Sequence, residues 1–220
     1  MQGMRNGPSW TARIAIPFLL AAILTSCSLL PAGEKTPLHT YLLSLDTSPV
    51  NPSAASGGTG AATLLVNLPQ AQAGFDTPRM VYLLRPHAVD YYAHNQWADT
   101  PARMLAPLLV QAMEKTGCWR FVAQMPAAVQ GNHRLDTEIL HWQHEFFSQP
   151  SRMRLTLRVQ LVELRRQSVI AERRFETLED APSEDAYGGV IAANRAVGKL
   201  LEQVAGWVRA QVNSDTLPCQ

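Results

Sequence analysis

Three cysteines in 220 residues leave no Cys-x-x-Cys pair, so neither a zinc ribbon nor a redox dithiol is encoded. No Gly-x-Ser-x-Gly or His-Glu-x-x-His occurs, which removes the usual signatures of hydrolases and zinc proteases. Gly57-Gly58-Thr59-Gly60 lacks the Lys-Ser/Thr and the following helix of a phosphate cradle, so it reads as linker. Charge is sparse at 17%, and 19 basic residues meet 18 acidic ones. A nucleic-acid binder would carry a basic stripe, so that partner is not expected. Long apolar runs are also missing. Residues 14–24 form a run of 11 with Pro17 inside it, whereas crossing a bilayer takes ~20 apolar residues.

What is present begins at Leu24-Thr25-Ser26-Cys27, the lipobox pattern of bacterial lipoproteins. Arg5 and Arg13 precede the short apolar run, and residues 1–26 contain no acid. A positive start, an apolar stretch of about 7–15 residues and a small-residue cleavage site make a secretory signal. Cleavage before Cys27 leaves 194 residues and removes two of the 19 basic side chains, for a net charge of about −1. Cys27 is the expected attachment point of a diacylglycerol and an acyl chain; no other cofactor is expected. An exported chain sits where disulfides persist, so Cys118 and Cys219 can bridge or remain two free thiols.

Residues 27–37 read as a lipidated leash, of which the ten residues 28–37 reach at most ~35 Å. A single domain follows over residues 38–212, before a loose tail at 213–220. The first strand is expected at residues 41–45. Residues 46–62, rich in Ser, Gly, Pro and Ala, read as a flexible loop. Residues 63–68 suit a strand buried on both faces. Residues 80–85 and 89–92 suit a hairpin, and residues 119–123 and 135–142 two further strands. Pro101 to Lys115 predicts a helix capped by Asp99 or Thr100, stopped by Gly117 and bent near Arg103 by Pro107. The clearest strand is 152–161, where Met153, Leu155, Leu157, Val159 and Leu161 alternate with polar residues. Its partner, 169–178, suits an edge. The last helix carries the stripe Ala186, Val190, Ala193, Val197, Leu200, Leu201, Val204 and Val208, with Ser183 as the expected cap and Gly198 as a point of close approach to the sheet. The order predicts an α/β fold: a mixed, largely antiparallel sheet covered by two main helices.

The best metal candidate is His141 and His144 with Glu138, Glu145 and His133. A spacing of three on a strand puts the two histidines on opposite faces, so no metal site is expected. Glu176, Glu179, Asp180, Glu184 and Asp185 read as a solvated acidic loop. Arg165, Arg166, Arg173 and Arg174 can face lipid headgroups or an acidic partner, or simply protect a sheet edge. Tyr91, Tyr92, Trp97, Phe146 and Phe147 are candidate contacts for a partner or lipid, with the adjacent Phe146-Phe147 pair the clearest of them.

Four features together resemble the auxiliary lipoprotein component of ABC-type transport systems. These are the lipobox followed by Tyr41-Leu42-Leu43, the run Leu83-Leu84-Arg85 to Met104-Leu105 through Gln96-Trp97-Ala98, the segment Gly117 to Val122, and a terminal helix bearing Trp207. The resemblance spans roughly residues 38–210. It implies a three-layer α/β domain similar to the anticodon-binding architecture and a non-enzymatic docking role. The implied partners are an MCE-domain protein, an ABC permease that moves lipid, the outer membrane and further copies of the chain. Ser28 after Cys27 implies sorting to the outer membrane, facing the periplasm.

Overall fold

A computed structural model describes residues 36–45 and 60–214. Cys27, Cys219, most of the leash and most of the 46–62 loop lie outside the described residues. Five strands come first: β1 (His39–Tyr41), β2 (Thr63–Val66), β3 (Gln70–Ala71), β4 (Arg79–Arg85) and β5 (Ala88–Trp97). Helix α1 (Pro101–Glu114) and strand β6 (Phe121–Gln124) follow. Three long strands, β7 (His133–Glu145), β8 (Arg152–Glu163) and β9 (Ser168–Asp180), lead to helix α2 (Ala186–Ser214).

All nine strands join one open mixed sheet. Its long ladders, β7 with β8 and β8 with β9, are antiparallel, as is the β4–β5 hairpin. The other edge of β7 is shared out along its length: β2 pairs with Leu135 and its predecessors, β3 with Glu138 and Ile139, and β4 with His144 and Glu145, all parallel. Strand β2, flanked by β6 and β7, is buried at three of its four positions, as its continuous apolar run requires. Strand β9 pairs only with β8 and forms the expected edge.

The core face is the apolar half of each alternating pattern. Met153, Leu155, Leu157, Val159 and Leu161 of β8 are all buried, and they meet the α2 stripe in one cluster. Met104, Leu105, Leu108, Leu109, Ala112 and Met113 bring α1 into the same cluster. Pro101 opens α1 and Gly117, at φ +69°, follows its end. Thr100 is the cap residue but makes no side-chain cap bond; its own N–H donates to Asp99 Oδ1 at 2.7 Å.

Several expectations shift. The first strand is His39–Tyr41 and not 41–45, because after Tyr41 the chain leaves the sheet and the Ser44 N–H donates to Asn194 Oδ1 on α2 at 2.7 Å. The cap of α2 is Asp185 and not Ser183: Asp185 Oδ1 accepts the Gly188 N–H at 2.7 Å and the Ser183 hydroxyl at 2.8 Å. Close approach to the sheet falls at Gly189, where a Cβ would lie 2.6 Å from His144 Nδ1; a Cβ at Gly198 meets nothing within 4 Å.

Those two glycines separate packing from propensity. Gly189→Ala should lower stability by roughly 1–3 kcal/mol because the buried imidazole must move. Gly198→Ala should raise it by about 0.5–1 kcal/mol through helix propensity alone. Denaturant unfolding of the two variants measures both, and equal effects would contradict the close approach.

Candidate functional site

Because β4 runs parallel to β7 and β8 runs against both, the end of β7, the β4–β5 turn and the loop into β8 gather at one end of the sheet. The start of α2 packs there too, through Gly189 on His144. A buried polar chain ties this end together. Tyr92 Oη lies 3.0 Å from His144 Nδ1, and His144 Nε2 lies 2.9 Å from Ser151 Oγ. The Ser151 N–H donates to Glu184 Oε1 at 2.9 Å, and its carbonyl accepts the Ala181 N–H at 2.8 Å. Burial raises the pKa of the Tyr92 phenol further above its usual value, with Tyr82, Asp185 and Glu184 adding to the shift. Burial lowers the His144 pKa to about 4, opposed by the Glu184 and Asp185 carboxylates. A serine beside a histidine evokes nucleophilic catalysis, but Ser151 is 0% exposed and His144 2%. The pair has no face for a substrate; it fastens three elements.

The candidate contact residues separate. Trp97 is a correction: at 1% exposure it is core, edge-to-face with Trp142 at 5.9 Å, because its strand turns inward just before α1. Tyr91 lies under the Arg79 guanidinium, 3.7 Å from ring centroid to Cζ. Tyr92 belongs to the buried chain and packs on Tyr82 at 4.7 Å. Phe146 is half-buried, 4.3 Å from the His144 ring and 6.1 Å from Tyr82. Phe147 stands out at 46% exposure, and Leu84 of β4 at 61%. The Phe146 N–H donates to the Leu83 carbonyl at 2.9 Å, so the end of β4 and the chain leaving β7 lie side by side. Nothing in the apolar run Met80 to Leu84 marks Leu84 as outward-facing.

The opposite sheet face is polar. Arg154 forms a two-point pair with the buried Glu145 carboxylate, at 2.7 and 3.3 Å, and reaches Glu176 at 2.8 Å. The bond to Glu145 chiefly raises the Arg154 pKa. Thr156, expected at a solvated position of β8, is fully buried and donates to Glu176 Oε2. Burial opposes ionisation of Glu176, but bonds from Thr156 and Arg154 outweigh it and lower its pKa. His141 contacts Thr156 on this face, and burial followed by Arg174 and Arg154 lowers its pKa. His141 and His144 therefore point to opposite faces, and His133 packs on Trp119. Among the described residues no group of three or more His, Cys, Asp or Glu could hold a metal ion.

The acidic segment is less solvated than its composition implies. Glu176 holds Arg154, Glu179 holds Lys199 on α2, Asp180 pairs with Arg152, and Glu184 and Asp185 organise the start of α2. At the far end of the sheet Arg165 and Arg166 both pair with Glu163, while Arg174 pairs with Glu176 and Arg173 lies over Phe175. A groove of about 690 Å³ runs between Leu45, Lys115 at the end of α1, and Tyr187, Ile191, Arg195 and Glu202 of α2. Cys118 is buried and disulfide-bonded, so its 3.6 Å approach to the Thr116 carbonyl is a contact without a proton.

Residues 41–205 match the family described as ABC-type transport auxiliary lipoprotein component. The chain belongs to that family. A crystal structure of a Xanthomonas campestris protein assigned to DUF330 is similar, with a TM-score of 0.68 and 22% identity over 80% of this chain and 98% of its own. A second crystal structure, of an uncharacterized protein, gives a TM-score of 0.61 and 11% identity over 78% and 99%. At these identities the likeness shows a shared fold. No curated protein matches the chain.

The buried histidine of this auxiliary lipoprotein sets a pH dependence. With a folded pKa of about 4 against 6.5 unfolded, the folded state binds fewer protons between those values. Stability contributed by neutral His144 is therefore full above pH 6.5 and declines as pH falls towards 4, by at most roughly 3 kcal/mol. Urea unfolding at pH 7 and pH 4.5 should show the decline, and His144→Gln should remove most of it. The Asp185 carboxyl, held low first by the Gly188 N–H, contributes only at lower pH.

Proposed function

We propose that the chain is a periplasmic lipoprotein anchored to the outer membrane through acylated Cys27, acting as a non-catalytic docking component of an MCE-type ABC system. Its task is to help pass phospholipid or a related lipid between the two membranes. The family match over residues 41–205, joined to the lipobox at residues 24–27, carries this reading. Ser28 after the acylated cysteine favours the outer membrane. The burial of Ser151 and His144 argues against a hydrolase built on that pair. The partners are then an MCE-domain protein and further copies of the chain.

The lipid also bears on the cysteines. With Cys27 acylated, Cys219 is left to bridge Cys118, which would pin the C-terminal segment to the end of α1. Peptide mapping without reductant should recover a 118–219 linked peptide; a bridge to Cys27 instead would overturn both the assignment and the acylation.

The docking role is tested in the native envelope. Photoreactive side chains are preferable to amine chemistry, since Lys35, Lys115 and Lys199 are the only lysines. Isolation of crosslinked product should bring down an MCE-domain protein, and Cys27→Ala should fold normally yet lose function. A clean product containing no such protein, in a strain that makes one, would leave a free-standing structural lipoprotein as the better description.

A further inference from the structure

The end of the sheet that carries Leu84 and Phe147 presents apolar side chains beside cationic ones. Leu84 and Phe147 are exposed, Val89 is exposed beside the same turn, and Phe146 is half-covered. Arg85 and His87 are exposed in the turn between β4 and β5, and no ion pair to Arg85 occurs among the described residues. At the opposite end Val169 is exposed as well, but the turn there presents Arg165 and Arg166 already paired with Glu163. Projecting aromatic and aliphatic side chains with an unpaired arginine suit the boundary between headgroups and acyl chains, where aromatic rings and snorkelling cations both settle.

The direction in which the chain enters the domain selects the same end. Strand β1 is parallel to β5, with His39 opposite Asn95 and Tyr41 opposite Trp97. Strand β5 runs away from the turn, so Leu38 leads back towards it. From Asn95 to Ala88 is about 23 Å of strand. The leash of residues 28–37 extends to ~35 Å, which covers that span.

We propose that this end of the domain rests on the phospholipid surface that holds the anchor. Leu84, Phe146 and Phe147 enter the headgroup region and Arg85 meets lipid phosphate. The proposal rests on the reading that Cys27 is acylated. The anchor and the apolar end then act as two linked contacts: the leash holds the second at high local concentration, so a weak insertion suffices to orient the domain.

The test uses the full lipidated chain in vesicles of phosphatidylethanolamine and phosphatidylglycerol. A photoreactive phenylalanine analogue is placed at Phe147 and, in a second preparation, at Gln167 in the β8–β9 turn at the far end of the sheet. Phe147 should yield roughly tenfold more phospholipid adduct than Gln167, about the preference that burying one aromatic side chain gives. Equal adducts from the two positions in a chain whose intact mass shows acylated Cys27 would overturn the orientation and leave the anchor standing. Unmodified Cys27 would overturn both. A protein adduct replacing the lipid adduct at Phe147, in the native envelope, would make this end a protein interface and also overturn the proposal.

Discussion

The constraint on which this fold depends is that one strand must satisfy the edges of four others. Strand β7 gives its whole length on one side to β8 and divides the other side among β2, β3 and β4. Every backbone N–H and C=O left unpaired in the interior carries a penalty, so the three short strands must stack end to end along β7 with little freedom of register. The irregularity between Ile139 and His141 lies where that shared edge passes from β3 to β4. It also reverses which alternate residues face the helices: Leu135 and Ile139 are core before it, Trp142 and His144 after it.

The second consequence of that geometry is a buried polar centre where β7 ends. Burying an imidazole without partners is costly, and here both ring nitrogens are engaged. The hydrogen bonds run outward from His144 to β5, to the start of β8 and through Glu184 to the start of α2. The elements that frame the aromatic end are thus fixed relative to one another, so Leu84 and Phe147 project from a rigid base. A surface of fixed shape loses less ordering entropy on any contact it makes.

Much of this was legible in the chain. Strand β8 announces itself by period two and α2 by its apolar stripe, because burial on one face leaves a direct imprint on residue order. The lipobox and the family resemblance pointed to export and a transport role before any geometry was known. What stayed hidden depends on partners distant in sequence. Only the adjacency of Phe146 and Phe147 set Phe147 apart, and nothing local marked Trp97 as core. Ser183 reads as the cap of α2, and only the path of the chain past Ser151 decides that Glu184 reaches back towards β8 while Asp185 caps. Thr156 reads as solvent-facing from alternation, yet it is buried beneath a network whose members lie up to 20 residues away.

Strand β1 is only three residues long, yet it is where the chain enters the sheet. Its three residues pair in parallel with Asn95, Gln96 and Trp97 of β5. The Tyr41 side chain adds a 3.0 Å bond to Asn95, and the Tyr41 carbonyl holds the Ala98 N–H at 2.8 Å, so both edges of the attachment are pinned. Under the proposed tether, a load on residues 28–37 would reach the sheet at these three residues, where the two bonds of Tyr41 add to the β1–β5 ladder.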